Sequence, residues 1–96
     1  MSVKSPLPRR LKEARTRAGL SQKQLGIKAG IDEFSASARM NQYERGTHTP
    51  DFGTLKKISL VVNVPTAFFY AEEDTIAKMI SSFVGKELPA SLDKKK

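Results

Sequence analysis

Three side chains between Ser35 and Arg45 can make paired hydrogen bonds to a flat polar partner. Arginine fits the exposed edge of guanine, and asparagine and glutamine fit that of adenine, each through two hydrogen bonds. Arg39, Asn41 and Gln42 stand close together in this segment. An α-helix is the element that fits the major groove of DNA. If the segment is helical, these residues are therefore candidates for reading bases.

The apolar pattern of the segment predicts such a helix. Met40 and Tyr43 stand three residues apart and supply an inner face, and Gly46 is suited to a C-cap. The side chains that then lie largely outside are those of Ser37, Ala38, Arg39, Asn41 and Gln42.

A second short helix is predicted directly before this one. Ser21 is a good N-cap, and Gln24 stands three residues later, where a capping box has Glu or Gln. Leu25 and Ala29 fall four residues apart on one face, and Gly30 ends the helix. Two short helices joined by a turn form a unit that can read DNA.

This stretch resembles the phage repressor type of helix-turn-helix, the lambda and 434 repressor/Cro or Xre-like family. The resemblance rests on the segments Ser21-Gln22, Ala29-Gly30-Ile31, Asn41-Gln42-Tyr43-Glu44-Arg45-Gly46 and Thr49-Pro50. It covers roughly residues 7–70. It implies an all-α fold, a compact five-helix repressor-like domain, to which a C-terminal amphipathic helix is added here.

The connection between the two motif helices is longer than the family's usual spacing. We expect Ser35 rather than Asp32 to cap the second motif helix, because a helix begun at Asp32 would carry Glu33 towards phosphates. Phe34 is then expected to anchor the longer turn as an apolar contact. The start of the base-reading helix stays open at this point.

By matching positions, the resemblance implies base reading by Ser37, Ala38 and Gln42, with Arg39 and Asn41 adjoining. Ala38 could meet only a thymine methyl group, so Gln42 is the strongest single candidate. Gln22 is expected to touch phosphate and to orient a partner side chain. The residues expected at phosphates are Ser21, Gln22, Lys23, Arg45, Thr47 and Thr49.

Two further features of the resemblance concern structure. An arginine of the first helix commonly pairs with the acid of the Tyr-Glu signature, and the matching residues are Arg15 and Glu44. The alternative is that these are two unrelated surface charges. Gly26 is expected to let the two motif helices cross closely, since glycine inside a helix otherwise costs about 1 kcal/mol relative to alanine.

Three more helices are expected around the motif. The first lies at 9–18 and is opened by Pro8; the fourth lies at 52–62 and is capped by Asp51; a short fifth lies at 66–70. Their inner faces are expected to hold Leu11, Ala14, Ala18, Phe52, Leu55, Ile58, Ser59, Val62, Phe68 and Phe69.

A sixth helix follows an acidic linker at 72–74. Its apolar stripe has the period of an amphipathic helix, and it either folds back onto its own core or pairs with a second copy. The residues of this possible dimer face are Ile76, Met79, Ile80, Phe83 and Val84. The predicted organisation is a mobile arm at 1–6, the helix-turn-helix domain at 7–70, the linker and last helix at 71–86, and a basic flexible tail at 87–96.

The charge of the chain is uneven. The net charge is +7, and the half that contains the motif carries most of it. Basic surfaces attract phosphates by releasing condensed counterions, although a merely solvated surface would have the same composition. The chain has no cysteine and one histidine, His48. No metal, cofactor or catalytic set is expected, and no apolar run is long enough for a membrane span.

We therefore expect a sequence-specific regulator of transcription that binds double-stranded DNA, a repressor or autoregulator acting as a homodimer on an inverted repeat. Its expected place is the cytoplasm, in association with the nucleoid. The alternative is an antitoxin or protein-interaction module on the same fold, with a protein partner such as a toxin.

Overall fold

The computed structural model describes residues 4–82, in which every regular element is a helix and no strand occurs. The elements are α1 (Leu7–Arg17), α2 (Gln22–Lys28), α3 (Ala36–Arg45), α4 (Phe52–Val62), a 3₁₀ helix (Thr66–Tyr70) and α5 (Asp74–Ser81). The predicted all-α fold is confirmed, and the short fifth helix is 3₁₀. None of the described helices is long and apolar enough to cross a membrane. The predictions for residues 1–3 and 83–96 lie outside the described residues.

Local side-chain chemistry sets several helix boundaries. The Gln24 amide donates to Ser21 Oγ at 3.0 Å, and the Ser21 amide donates to Gln24 Oε1 at 2.8 Å, which completes the predicted capping box. Asp51 Oδ1 accepts from the Thr54 amide at 2.8 Å. This hydrogen bond to the backbone lowers the pKa of the Asp51 carboxyl below its ordinary value. Gly46 ends α3 in the left-handed region with φ 78°.

The core lies between α1, α3, α4 and the 3₁₀ helix. The rings of Phe68 and Phe69 meet edge to face, with centroids 5.6 Å apart, and close one side of it. Fully buried hydrophobic side chains come from every element except α5, whose Ala77 is nearly so. They are Leu11, Leu25, Ala36, Met40, Leu55, Ile58, Phe68 and Phe69.

Three apolar residues, two expected in the core and one expected to anchor the turn before α3, are exposed. Ala18 is the C-cap of α1, where the chain has already turned away from the inner face. Phe52 is the first residue of α4 and is 65% exposed. Phe34 is 93% exposed and does not anchor the turn before α3. Ala18 and Phe52 stand at helix ends, where the helical period no longer places a side chain against the core.

Arg10 is a buried charged residue that the sequence pattern did not reveal. Its side chain is 1% exposed, and Nε donates to the Ala71 carbonyl at 2.8 Å. Its Nη1 and Nη2 donate to Glu13 Oε1 and Asp74 Oδ1, each at 3.0 Å. Burial alone would lower the pKa of Arg10, but the bonds to these two carboxylates raise it overall, so the guanidinium remains charged. Arg10 thereby ties α1 to the start of α5.

The amphipathic stripe of α5 is divided between core and solvent. Ala77 is buried and Ile80 packs against the core, whereas Ile76 and Met79 are 44% and 57% exposed. The helix therefore folds back in part onto its own core. Phe83 and Val84 lie outside the described residues.

Candidate nucleic-acid interface

The two motif helices cross in close contact at Gly26 and Ala36. A Cβ added to Gly26 would lie 2.7 Å from the Ala36 Cβ and 2.9 Å from its carbonyl oxygen, closer than such atoms approach. Only glycine therefore allows α2 and α3 to pack at this distance. Ala36 is the first residue of α3, so this contact fixes where the helix begins relative to α2.

The turn between these helices is held by Asp32. The Asp32 carboxylate accepts from the Phe34 amide at 3.0 Å, and its carbonyl accepts from the Ser35 amide at 2.9 Å. Ser35 occupies the N-cap position of α3 as expected, but its side chain makes no capping hydrogen bond and its backbone is already helical. The predicted cap position is therefore correct, but the prediction that the Ser35 side chain caps the helix is wrong, because Asp32 stabilises the turn instead.

The outer side of α3 presents what we call the reading face, defined as Ser37, Ala38, Arg39, Asn41 and Gln42. Ser37, Ala38 and Arg39 are exposed, and Asn41 and Gln42 are half-buried. Ala38, Arg39 and Gln42 line a groove between α3 and the segment that leads into α4. The other wall of this groove is formed by His48, Thr49, Asp51 and Thr54.

A partly buried hydrogen-bond network centres on Glu44 and supports the reading face from behind. Arg15 donates from Nε to Glu44 Oε2 at 2.5 Å and from Nη2 to Oε1 at 3.1 Å. Gln22 Nε2 donates to Glu44 Oε1 at 3.1 Å and to Asn41 Oδ1 at 3.3 Å. Arg15 also donates to the Leu20 carbonyl at 2.9 Å. The network joins α1, α2 and α3, and the Glu44 side chain is only 4% exposed.

The candidate phosphate contacts fall into two groups. The side chains of Ser21 and Gln22 already make hydrogen bonds within the protein, Ser21 as a helix cap and Gln22 in the Glu44 network. Lys23, Arg45, Thr47 and Thr49 are exposed.

The loop after α3 is closed on the Gln42 carbonyl. This oxygen accepts from the backbone amides of Thr47 and His48 at 3.1 and 3.3 Å and from Thr47 Oγ1 at 3.3 Å. The loop is therefore fixed relative to Gln42. Within residues 4–82, none of Lys23, Arg39 and Arg45 forms an ion pair, so their charges face solvent.

The structure thus places all the base-reading candidates on α3. The same helix carries Arg45, a candidate for phosphate contact. The Gln22–Asn41 contact agrees with the expectation that Gln22 orients a partner side chain. The role of Asp32 in holding the turn was not predicted, and neither was the exposure of Phe34. In the part of the chain that is described, no cluster of three His, Cys, Asp or Glu residues could hold a metal ion.

Comparison with known proteins gives relatives of one kind. The chain is 31% identical to the HTH-type transcriptional regulator ImmR of Bacillus subtilis (strain 168) over 90 residues, 94% of this chain and 68% of that protein. It is 35% identical over 63 residues to an uncharacterized HTH-type transcriptional regulator of Sinorhizobium medicae (strain WSM419), of which it spans 42%.

A solved structure agrees with these relatives. The crystal structure of the transcriptional regulator BswR superposes with a TM-score of 0.78 and 50% sequence identity, over 92% of this chain and 85% of that one. No protein-family model matches the chain.

Proposed function

This chain belongs to the HTH-type transcriptional regulators, and from that premise we propose that it is a repressor or autoregulator of the lambda/434, Xre-like type. It reads double-stranded DNA by placing α3 in the major groove. The observation that carries this proposal is the reading face, a mainly polar and partly exposed surface on a short helix that α2 and the Glu44 network hold from behind. A preorganised helix can dock without ordering its side chains first.

Within the reading face, Gln42 and Arg39 carry most of the base recognition. Gln42 can make paired hydrogen bonds to adenine, and Arg39 can do so to guanine. The backbone carbonyl of Gln42 anchors the following loop, so the main chain at this position is fixed. Asn41 contributes less, since its Oδ1 is already engaged by Gln22.

Phosphate contacts place this helix on the duplex. Lys23 at the start of α2 and Arg45 at the end of α3 are exposed cations free of ion pairs within the described residues. Thr47 and Thr49 stand in the loop after α3 and can donate hydrogen bonds to the same strand. Such contacts set the register of the protein on DNA and contribute a salt-dependent share of affinity.

Two copies bind an inverted repeat, with their recognition helices about 34 Å apart. The exposed part of the α5 stripe, Ile76 and Met79, supplies the contact between the copies. In this arrangement residues 7–70 form the DNA-binding unit and the last helix joins two of them. Promoter occlusion by the bound dimer gives repression.

Selection from a random pool of duplexes tests the proposal. The purified protein is incubated with the pool, bound duplexes are recovered, and their sequences are determined. We expect enrichment of an inverted repeat. A failure to enrich any sequence, with binding that only declines as salt rises, would instead indicate an architectural DNA binder or a protein-interaction module.

A further inference from the structure

Phe34 is the most exposed large hydrophobic residue among residues 4–82. Its side chain is 93% exposed, whereas the next such residue, Leu60, is 69% exposed. Burial of a phenylalanine side chain would stabilise a protein, and in this fold that contribution is not realised. The ring is therefore available for contact with another molecule.

The backbone that carries Phe34 is well fixed although its side chain is not. The Asp32 carboxylate holds the Phe34 amide, and the Asp32 carbonyl holds the Ser35 amide. The close contact of Gly26 with Ala36 then fixes the chain two residues further on. The ring is thus presented from a rigid turn at the beginning of α3.

Phe34 lies on the wall of the groove that contains part of the reading face. Phe34, Ala38 and Gln42 are spaced four residues apart, and all three line the groove between α3 and the segment leading into α4. Phe34 and Ala38 make the apolar end of this row, and Gln42 makes the polar end. The row presents a surface on which an apolar group and a polar base edge can lie side by side.

We propose that Phe34 is a specificity-determining residue that contacts the C5-methyl group of a thymine in the major groove, with Ala38 beside it. Apolar side chains, among them alanine and phenylalanine, recognise thymine through this methyl group. The inference rests on the proposed function, because it requires α3 to lie in the major groove. It adds an apolar reader outside the helix to the polar readers on it.

The charges around Phe34 favour a base over the DNA backbone as its partner. Asp32 and Glu33 are exposed acids that directly precede it. Carboxylates are repelled by phosphates, so these two acids disfavour a position of the turn along the phosphate backbone. A thymine methyl group projects into the groove and meets the ring without bringing these carboxylates onto a phosphate.

The test pairs a protein variant with a DNA change. In the selected duplex, each thymine is replaced in turn by deoxyuridine, which removes only the methyl group. We expect one thymine in each half-site at which this replacement weakens wild-type binding about fourfold, the value expected for losing one buried methyl group. Phe34→Ala should bind the thymine duplex about as weakly as wild type binds the deoxyuridine duplex, and should be insensitive to the replacement. Leu60→Ala, which removes another exposed hydrophobic side chain, should behave as wild type.

Two results would overturn the inference. One is a Phe34→Ala protein that remains as sensitive as wild type to every thymine replacement. The other is a Phe34→Ala protein that binds the thymine duplex with wild-type affinity, which would assign the ring to a protein partner or to no partner. Failure of the proposed function is distinguishable, because it would remove sequence enrichment altogether and leave Gln42→Ala without effect. Thermal unfolding of Phe34→Ala checks that the variant is folded.

Discussion

Arg15 of α1 and Glu44 of α3 are joined by two hydrogen bonds between the guanidinium and both carboxylate oxygens. Their side chains are 13% and 4% exposed, so the pair is largely shielded from solvent and is not an exposed surface ion pair. Gln22 of α2 reaches the same carboxylate. One acid therefore sets the relative positions of three helices behind the reading face.

Breaking this pair should be costly and non-additive. Arg15→Ala or Glu44→Ala leaves a buried charge without its partner, and each should lower the free energy of unfolding by about 3 kcal/mol. The double variant should cost clearly less than the sum of the two, with a coupling energy of about 1 kcal/mol or more. Chemical denaturation of the four proteins measures this cycle. Strict additivity would mean that the pair does not act as a unit.

The contact of Gly26 with Ala36 predicts an unusual response to alanine. By helix propensity alone, Gly26→Ala should stabilise α2 by about 1 kcal/mol. The added Cβ would meet Ala36 backbone and side-chain atoms at 2.7 to 3.0 Å, so we expect a net loss of about 1 kcal/mol or more.

Gly53 in α4 provides the matched control for Gly26. A Cβ there would have only Asp51 Oδ1 near it, at 3.7 Å, so Gly53→Ala should be neutral or stabilise by about 0.5 kcal/mol. Thermal unfolding of both variants measures the two changes in stability. Equal stabilisation by the two substitutions would show that α2 and α3 do not need the close approach.

Arg10→Met tests the connection between α1 and the last helix. The substitution keeps an apolar stem but leaves the Ala71 carbonyl without its donor, and we expect a loss of about 2 to 4 kcal/mol in unfolding free energy. Arg9→Met is the control, because the Arg9 side chain is 56% exposed and its pair with Asp74 should contribute under about 1 kcal/mol. Similar losses for both would contradict the distinct role of Arg10.

Acid should weaken the same connection through Asp74. Hydrogen bonds from Arg9 first, and then Arg10, hold the pKa of the Asp74 carboxyl below its ordinary value of 3.8. A lowered folded-state pKa means that the stabilisation is fully present above pH 3.8 and is lost as the pH falls through the lower, folded-state pKa. The stability difference between wild type and Asp74→Asn should therefore shrink on acidification below about pH 4. A difference that is the same at pH 7 and at low pH would refute this linkage.

Much of the fold could be predicted because the signals are local. The capping box at Ser21 and Gln24, the Asp51 cap and the left-handed Gly46 each depend on residues a few positions apart. The inner faces of α1, α3 and α4 likewise follow from the helical period, apart from the helix ends. These features gave the order of the helices and the placement of the reading face on α3.

The features that the sequence did not predict depend on contacts between residues far apart in the chain, or on the absence of a neighbouring side chain. Arg10 finds its carbonyl partner 61 residues later in the chain, and arginine is rarely buried, so a local pattern assigns it to the surface. Phe34 looks like an anchor because it is apolar, yet no neighbour covers it once Asp32 has fixed the turn. The period of α5 identifies its apolar stripe but not the division of that stripe between core and solvent.

The most direct test of the account compares the specific and nonspecific DNA affinities of wild type and Gln42→Ala. Binding is measured to the selected duplex and to a scrambled duplex of the same length at several salt concentrations. The account predicts that Gln42→Ala loses about 1 to 3 kcal/mol on the selected duplex and almost nothing on the scrambled one, with an unchanged salt slope. Equal losses on both duplexes, or no loss on either, would contradict the reading of bases by α3.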